Sequence, residues 1–553
     1  MDISILKTKL KGEVLADSKT RAVYSRDTSL FEVTPSMVVF PKDVEDVKQL
    51  VRIVSDAKKA GENISLTARS AGTDMSGGPL TESIVMDFSK HFTRHEPTQE
   101  LINFTGGDAQ GFKISEPGVF YRDFEKEALT KKLMLPSYPA SRGLCAIGGM
   151  VSNDSGGEKT LRYGKTHDYV RRLKAVFADG NEYEVKPLTP EELKAKESEG
   201  TFEGEVYRKL HALLEENYDV AHAAKPNVSK NSAGYNIWDV WDRKRFDLTK
   251  LIVGSQGTLA FVTEAEFRLV DVKPYAGMIT LFLDDIQDTT PALNVLMPLL
   301  PTSLESFDDK TFQLALKYFW GFLKMLALNP FSLMFAFLPE FIYVMRYGMP
   351  KLIIMAEFEG NSQAEVDRDL DEALKELKGG RAHVRVARTK KESAKYWAIR
   401  RESFNLLRQR VRGMQTAPFV DDIIVRPGHI PEFLPKLLAI LDRYKLFTTI
   451  AAHIGDGNFH IIPLMKLGIA EERAKIRPAM DEVYKLVLEY KGSITAEHND
   501  GLIRSPFLEQ MFGSKVYGLF GEIKNIFDPL HIMNPGKKVG ANKDFAMAHI
   551  KKS

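Results

Sequence analysis

Apolar positions recur along this chain with two different periods. Val47, Leu50, Val51 and Val54 stand at i, i+3, i+4 and i+7, which is one face of a helix, and Gly61 is its stop. Short apolar runs flank that helix. Val38–Phe40 before it and Ile64–Thr67 after it read as buried strands, so the segment from Pro35 is an α/β unit. Met1–Thr34 reads as a short helix and an extended lead-in. Ile84–Phe88 adds a strand, and a helix is expected over Phe124–Lys132. Tyr169–Ala178 and Glu182–Val185 read as a hairpin closed at Asp179-Gly180. Leu188–Gly204 is rich in charge and is expected to be an exposed insertion. After Lys273-Pro274 a second set begins, with strands at Ile279–Leu283 and Lys351–Phe358 and helices between them. Further on, Phe447–Ala452 and Phe459–Pro463 read as two strands joined by a Gly-Asp-Gly-Asn turn.

Two glycine-rich stretches interrupt this pattern. Ala68–Gly78 reads ARSAGTDMSGG and directly follows a strand; successive N–H groups in such a turn form an anion nest suited to a pyrophosphate. Cys145–Gly164 reads CAIGGMVSNDSGGEKTLRYG, and its glycines let the backbone approach a bulky planar or phosphorylated ligand closely. Together they point to one long dinucleotide held at both ends. The GxGxxG spacing of a Rossmann domain is missing from the α/β unit, so nicotinamide binding is not indicated.

A third feature is His453-Ile-Gly-Asp-Gly-Asn-Phe-His460. Residues opposed across a hairpin have Cβ atoms roughly 4.5–5.5 Å apart, so two imidazoles there can share one metal ion. Structural histidines would leave the same trace, but Glu497-His498 supplies what they do not explain. A glutamate with two histidines is a His₂Glu set, which holds catalytic zinc with room for substrate.

Composition narrows the classes. The 553 residues suffice for two or three domains with real cores. Lys+Arg 76 against Asp+Glu 74 leaves +2, which gives no nucleic-acid footprint. The single cysteine, Cys145, excludes an internal disulfide and a cysteine-ligated iron–sulfur cluster within this chain, and is read as a small core residue. His167 is read as structural. The charged N-terminal stretch lacks an apolar core, so a cytoplasmic start is expected. Phe312–Pro350 is the one strongly apolar block. Lys324, Pro330, Pro339 and Glu340 interrupt it, which rejects a spanning helix. Two readings stand: a helical hairpin buried in the second domain, or an interfacial element on the inner face of a membrane. Phe319, Trp320, Phe322, Phe331, Phe335, Phe337, Phe341 and Tyr343, flanked by Lys310, Lys317, Lys324, Arg346 and Lys351, suit anionic headgroups.

Arg69–Gly78, Leu135–Gly164, Leu251–Leu269, His453–His460, Glu497–Gly501 and Asn534–Lys537 resemble the FAD-linked oxidases related to vanillyl-alcohol oxidase, in the branch that holds the flavin-bearing component of glycolate oxidase and D-lactate dehydrogenase. The resemblance runs from about Tyr24 to the C-terminus. It implies an α+β fold: a two-subdomain PCMH-type FAD-binding domain, an α/β cap domain and a C-terminal helical return. The implied divisions are a lead-in over 1–34, the FAD domain over 35–273, the cap over 274–500 with the apolar insertion at about 312–350, and the return over 501–553. Lys225–Trp241, with Lys230-Asn231 and Gly234-Tyr235, looks like a family loop. FAD contacts are implied at Arg69, Ser70, Ala71, Gly72, Thr73, Asp74, Pro136, Gly148, Gly149, Ser152, Asn153, Gly156, Gly157, Tyr163, Gly164, Val262 and Asn534. Some relatives have a histidine, covalently joined to flavin, where this chain has Thr73; non-covalent FAD is therefore implied.

By the same resemblance His453, His460 and Glu497 hold a divalent metal, expected to be zinc, and His498 is the catalytic base. Arg400, in Tyr396-Trp-Ala-Ile-Arg400, contacts the substrate, and a guanidinium fits a carboxylate through two hydrogen bonds. Asn499 stands where the family often has glycine. The implied reaction is oxidation of a D-2-hydroxy acid, D-lactate first among them, with hydride passing to flavin N5. The electron acceptor stays open among oxygen, quinone, a flavoprotein and a cytochrome. The competing readings are a non-redox flavoenzyme like alkylglycerone-phosphate synthase, and a flavin-carrying electron-transfer subunit with no substrate site of its own.

Overall fold

The computed structural model describes residues 3–100, 109–317, 338, 340, 342–410 and 413–552, without the side chains of 109, 314–317 and 402–410. Most of the apolar block at 312–350 lies outside the described residues, including Phe319, Trp320, Phe322, Lys324, Phe331, Phe335, Phe337 and Phe341.

Three larger sheets and a two-stranded one, Pro187–Leu188 with Phe246–Asp247, organise the described residues. The first joins β1 (Glu13–Leu15), β2 (Met37–Phe40), β3 (Leu66–Arg69) and β4 (Ile84–Asp87) in the order β1-β2-β4-β3, with β2, β4 and β3 parallel. Between β2 and β3 runs α1 (Val44–Lys59). Asp43 caps it by accepting from the Asp46 N–H, and Gly61, at φ +92°, ends it in a conformation glycine adopts without strain. Val47, Leu50, Val51 and Val54 are fully buried against the sheet. Each such side chain contributes up to about 1.5–3 kcal/mol by its removal from water.

The second sheet is antiparallel. It holds β5 (Ala109–Ser115), β6 (Val170–Val176), β7 (Glu182–Val185) and β8 (Phe261–Asp271), with β8 between β5 and β6. The hairpin expected around Asp179-Gly180 is β6–β7. The charged stretch at Leu188–Gly204, expected to be an exposed insertion, is exposed over much of its length but is helical. It forms a helix over Pro190–Glu197, started by a Thr189/Glu192 capping box with proline in the first turn, and then enters a helix over Phe202–Glu216. Leu193, Val206 and Leu210 are buried beneath its charges.

The third sheet carries the site. Its order is β12-β9-β11-β10-β13-β14, from β9 (Tyr275–Leu283), β10 (Ser303–Asp308), β11 (Leu352–Gly360), β12 (His383–Ala387), β13 (Phe447–His453) and β14 (Asn458–Met465). A short strand, Ile423–Ile424, pairs with the start of β14. The largest core cluster packs on this sheet. The chain's end returns to the first sheet. Met533 bridges Leu66, and Asn534 donates to the Gly78 and Gln256 carbonyls while accepting from Thr67. Among the described residues, no helix is long and apolar enough to cross a membrane.

Candidate flavin cleft and metal cluster

β3 ends at Arg69 and opens into the first glycine loop. Gly72 and Gly77 take φ values of +70° and +82°, which turn the backbone so sharply that little besides glycine suits them. Asp74 organises the loop from within, its Oδ2 accepting from the Ser76 and Gly78 N–H groups at 3.0 and 2.8 Å. The second glycine stretch forms a short helix, α2 (Ile147–Asn153). Asn153 closes the two loops on each other by donating to Asp74 Oδ1 at 3.1 Å.

Between the loops lies a cleft of about 440 Å³. Arg69, Ser70, Ala71, Gly72, Thr73, Asp74, Gly148, Gly149, Ser152, Asn153, Gly156 and Val262 all line it. A Cβ on Gly149 would meet nothing within 4 Å, so this position leaves room for a ligand. Gly148 is held close instead, its Cβ direction only 2.5 Å from Pro117. These features fit a bulky planar group.

Five residues expected at the flavin do not line the cleft. Pro136 is buried in the core. Gly157 packs 2.2 Å, at its Cβ position, from the Tyr138 carbonyl, and Gly164 turns at φ +80° over Asp168. The Tyr163 carbonyl accepts from the Tyr169 hydroxyl, and Asn534 ties strand to loop as described. Cys145 is 3 % exposed, and burial pushes its thiol up to about 12, as suits an inert packing residue. His167 is bound between Asp154 and Asp168, at 2.8 and 3.3 Å.

Glu497 and His498 also line the cleft, and the predicted metal ligands meet at Glu497. His453 Nε2 lies 3.0 Å and His460 Nε2 3.1 Å from the same oxygen, Glu497 Oε1. The route differs from the expected one. His453 pairs with Asn458 and His460 with Ala451, so the two histidines are diagonal neighbours on one sheet face rather than opposed residues. Their ring centroids are nonetheless 5.0 Å apart. Gly457, at φ +75° and tight against the Val425 carbonyl, makes the turn that sets this register.

Carboxylates surround the imidazoles. His453 Nδ1 contacts Glu305 Oε1 at 2.5 Å, and His498 Nδ1 contacts Asp421 Oδ2 at 2.8 Å. Burial opposes charge on His460, but Asp421 and Glu497 outweigh it and hold the ring's pKa up to about 10. Burial likewise opposes ionisation of Glu497; Lys230 and His453 reverse that and bring its pKa well below the usual carboxylate range. Lys230, fully buried, lies 3.2 Å from Asp456 and 3.5 Å from Glu497 Oε2. Arg400 Nε and Nη2 donate to Glu305 Oε2 at 3.1 and 3.0 Å, so it joins the cluster through Glu305. Its neighbour Arg401 lines the cleft, pairs with Glu158 and lies over the Trp397 ring.

Glu305, Asp421, Asp422, Asp456 and Gln256 were not foreseen. Asp421-Asp422 did leave a signal, two acids inside the apolar run Phe419–Val425, where unpaired carboxylates would be costly to bury. Asn499 takes φ +66°, the conformation for which a glycine is suited, and donates to the Gly254 carbonyl at 2.9 Å.

This fold and cleft define a two-part α+β flavin-binding protein, and comparison with known proteins agrees. The FAD binding domain profile matches residues 35–186, and that of the FAD linked oxidases, C-terminal domain, matches residues 275–538. The chain belongs to the FAD-linked oxidase family with a vanillyl-alcohol oxidase-type flavin domain. It is 27% identical over 539 residues to a D-2-hydroxyglutarate dehydrogenase of Pseudomonas putida, covering 95% of this chain and 50% of that one. It is 25% identical to the glycolate oxidase subunit GlcD of Bacillus subtilis, covering 94% and 92%, and 24% identical to a D-lactate dehydrogenase of Archaeoglobus fulgidus, covering 91% of each. The chain spans about half the length of several curated relatives it matches, the P. putida protein among them. Among solved structures, 4-ethylphenol oxidase from Gulosibacter chungangensis aligns with a TM-score of 0.67 at 15% identity, covering 97% of this chain and 96% of that one. An alkyldihydroxyacetonephosphate synthase aligns at 0.65 and 15%, covering 97% and 86%. These two likenesses concern the fold alone.

Proposed function

We propose that this chain oxidises a D-2-hydroxy acid to the 2-oxo acid, using non-covalent FAD and a divalent metal, with zinc the expected ion. The observation that carries this is the convergence of His453, His460 and Glu497 at a flavin cleft also lined by His498. The donor set suits a cation. Five buried carboxylates, Glu305, Asp421, Asp422, Asp456 and Glu497, face three permanent cations, Lys230, Arg400 and Arg504. Once the imidazoles give up their extra protons, as ligation of a metal requires, two negative charges are left for a divalent ion to balance. Glu497 Oε2 and Asp456 Oδ1, both buried, accept no hydrogen bond.

A bound divalent ion lowers the pKa of a hydroxyl it coordinates. Bound FAD supplies the acceptor for the hydride that leaves the α-carbon as the C=O bond forms. His498 takes the hydroxyl proton at Nε2, since its Nδ1 faces Asp421. Arg400 faces the carboxylate beside the reacting carbon, positioned by Glu305, which it shares with His453. Flavin contacts fall to the cleft-lining residues of the two glycine loops, with Thr73 where a covalent link would need histidine.

D-lactate has no second carboxylate; D-2-hydroxyglutarate has one, and relatives bearing that name are among the matches. Arg401, lining the cleft, favours the second acid, because its guanidinium offers a charge-matched partner for a distal carboxylate. The test is anaerobic bleaching of the flavin by D-lactate, glycolate, D-2-hydroxyglutarate and their L-isomers, before and after chelation. Bleaching by a D-acid that chelation abolishes is expected. Arg401→Gln should raise KM at least tenfold for D-2-hydroxyglutarate and leave D-lactate unchanged. A flavin left oxidised by every acid contradicts the proposal and favours an electron-transfer subunit or a non-redox enzyme. The acceptor is proposed to be a quinone, flavoprotein or cytochrome, and a quinone suits a chain that rests on a membrane surface.

A further inference from the structure

Two adjacent buried acids lie behind the cluster, and they divide its support between them. Asp422, at φ +65°, sits in the left-handed region that a side chain seldom adopts. Its Oδ2 accepts from the Thr495 hydroxyl at 2.6 Å and from the N–H groups of Ala496, Glu497 and His498 at 2.9, 3.0 and 2.8 Å. Its Oδ1 accepts from Asn458 Nδ2 at 3.1 Å. Ligand atoms of Asp422, His460, Glu497 and His498 lie within 4.8 Å of one another, close enough to hold one ion, yet the oxygens of Asp422 are engaged in holding the loop that carries Glu497 and His498. It is a holder of that loop rather than a ligand.

Asp421 points the other way. Its Oδ2 faces His498 Nδ1 at 2.8 Å, and its Oδ1 faces His460 Nδ1 at 3.4 Å while accepting from the Ile461 N–H at 3.2 Å. An ionised carboxylate only accepts, so His498 carries a proton on Nδ1, and the second oxygen, 3.4 Å from His460 Nδ1, favours a proton at that nitrogen as well. The rings stack, with centroids 5.1 Å apart and planes at 28°. His453 has a separate orienting carboxylate in Glu305.

We propose that Asp421 is a positioning residue serving ligand and base at once. By fixing Nδ1–H on both rings, it leaves the His460 Nε2 lone pair for the metal and the His498 Nε2 lone pair for the substrate hydroxyl. Glu305 performs the first of these tasks for His453 and, in place of the second, holds Arg400. The proposal rests on the metal-dependent reading above and adds to it a link between metal affinity and base alignment through one side chain.

The test compares Asp421→Asn with Glu305→Gln in the FAD-loaded protein, reading zinc affinity by chelator competition, flavin content, and kcat against KM. Asparagine offers one acceptor oxygen where the carboxylate presents one to each ring, so one ring must lose its partner. Zinc affinity should fall about 10–100-fold in both variants, the usual cost of losing an orienting partner, with flavin content unchanged. Saturating zinc should restore kcat in Glu305→Gln, with KM raised because Arg400 loses its charged partner, and leave kcat at least tenfold low in Asp421→Asn, with KM little changed. Wild-type zinc affinity in Asp421→Asn, or full recovery of its kcat at saturating zinc, overturns the proposal. A wild-type protein that binds no zinc at all overturns the metal reading beneath it instead. Should Asp421→Asn fail to fold, histidine ¹⁵N spectra of the zinc-loaded wild type decide: Nδ1–H on His460 and His498 supports the proposal, and a bare Nδ1 on either ring overturns it.

Discussion

At the scale of single residues, glycines with the same look in the sequence do opposite things. Gly149 leaves open space on the cleft, whereas Gly157 is pressed against the Tyr138 backbone. Gly149→Leu is therefore expected to leave the melting temperature of the FAD-free protein unchanged or raised, since leucine favours helix by roughly 0.5–1 kcal/mol over glycine. It should weaken FAD retention at least tenfold. Gly157→Ala should lower stability by about 1–3 kcal/mol through overpacking. Denaturant melts and flavin titrations check both. Destabilisation by Gly149→Leu in the FAD-free protein would mean that its side is packed, not open.

At the scale of elements, amphipathic and turn signals were legible. The helix face of Val47, Leu50, Val51 and Val54, the Asp179-Gly180 hairpin and the strands around His453–His460 all appear where the pattern puts them. The charged stretch at 188–204 is exposed over much of its length, as its composition implies, while its Thr189/Glu192 capping pair starts a helix that buries Leu193 beneath the charges. Glu305, by contrast, was hidden. A lone acid in a strand looks solvent-facing until a partner from a distant element, here His453, turns it inward. The register of β13 and β14 depends on a turn at Gly457, which no local period reveals. The short helix at 342–347 bears on the membrane reading. Tyr343 packs inward, donating to Asp284, while Leu338, Ile342, Met345 and Tyr347 are exposed beside Arg346 and Lys351. We propose that this helix rests on anionic headgroups. The protein should float with phosphatidylglycerol vesicles and not with phosphatidylcholine vesicles, and Ile342→Glu with Met345→Glu should release it. Equal recovery without vesicles would refute the contact.

At the scale of the whole molecule, the site exists only because distant segments meet. The glycine loops belong to the first half of the chain, while the histidines, Glu497 and Asp421 come from residues 421–498. Lys159–Glu359 and Arg401–Glu158 clamp the two halves together beside the cleft. Glu357, buried among these charges and bonded to Trp397, is held up to about 7 by burial first and Glu359 second. Composition cannot reveal such a meeting, although the resemblance of separate motifs to one family made it expected. Anomalous X-ray diffraction at the zinc edge, from crystals of the FAD-loaded protein, tests this convergence most directly. The account predicts one peak about 2.0–2.2 Å from His453 Nε2, His460 Nε2 and a Glu497 oxygen, beside the flavin. A peak bound elsewhere, or none in a protein that still bleaches with a D-2-hydroxy acid, would contradict it.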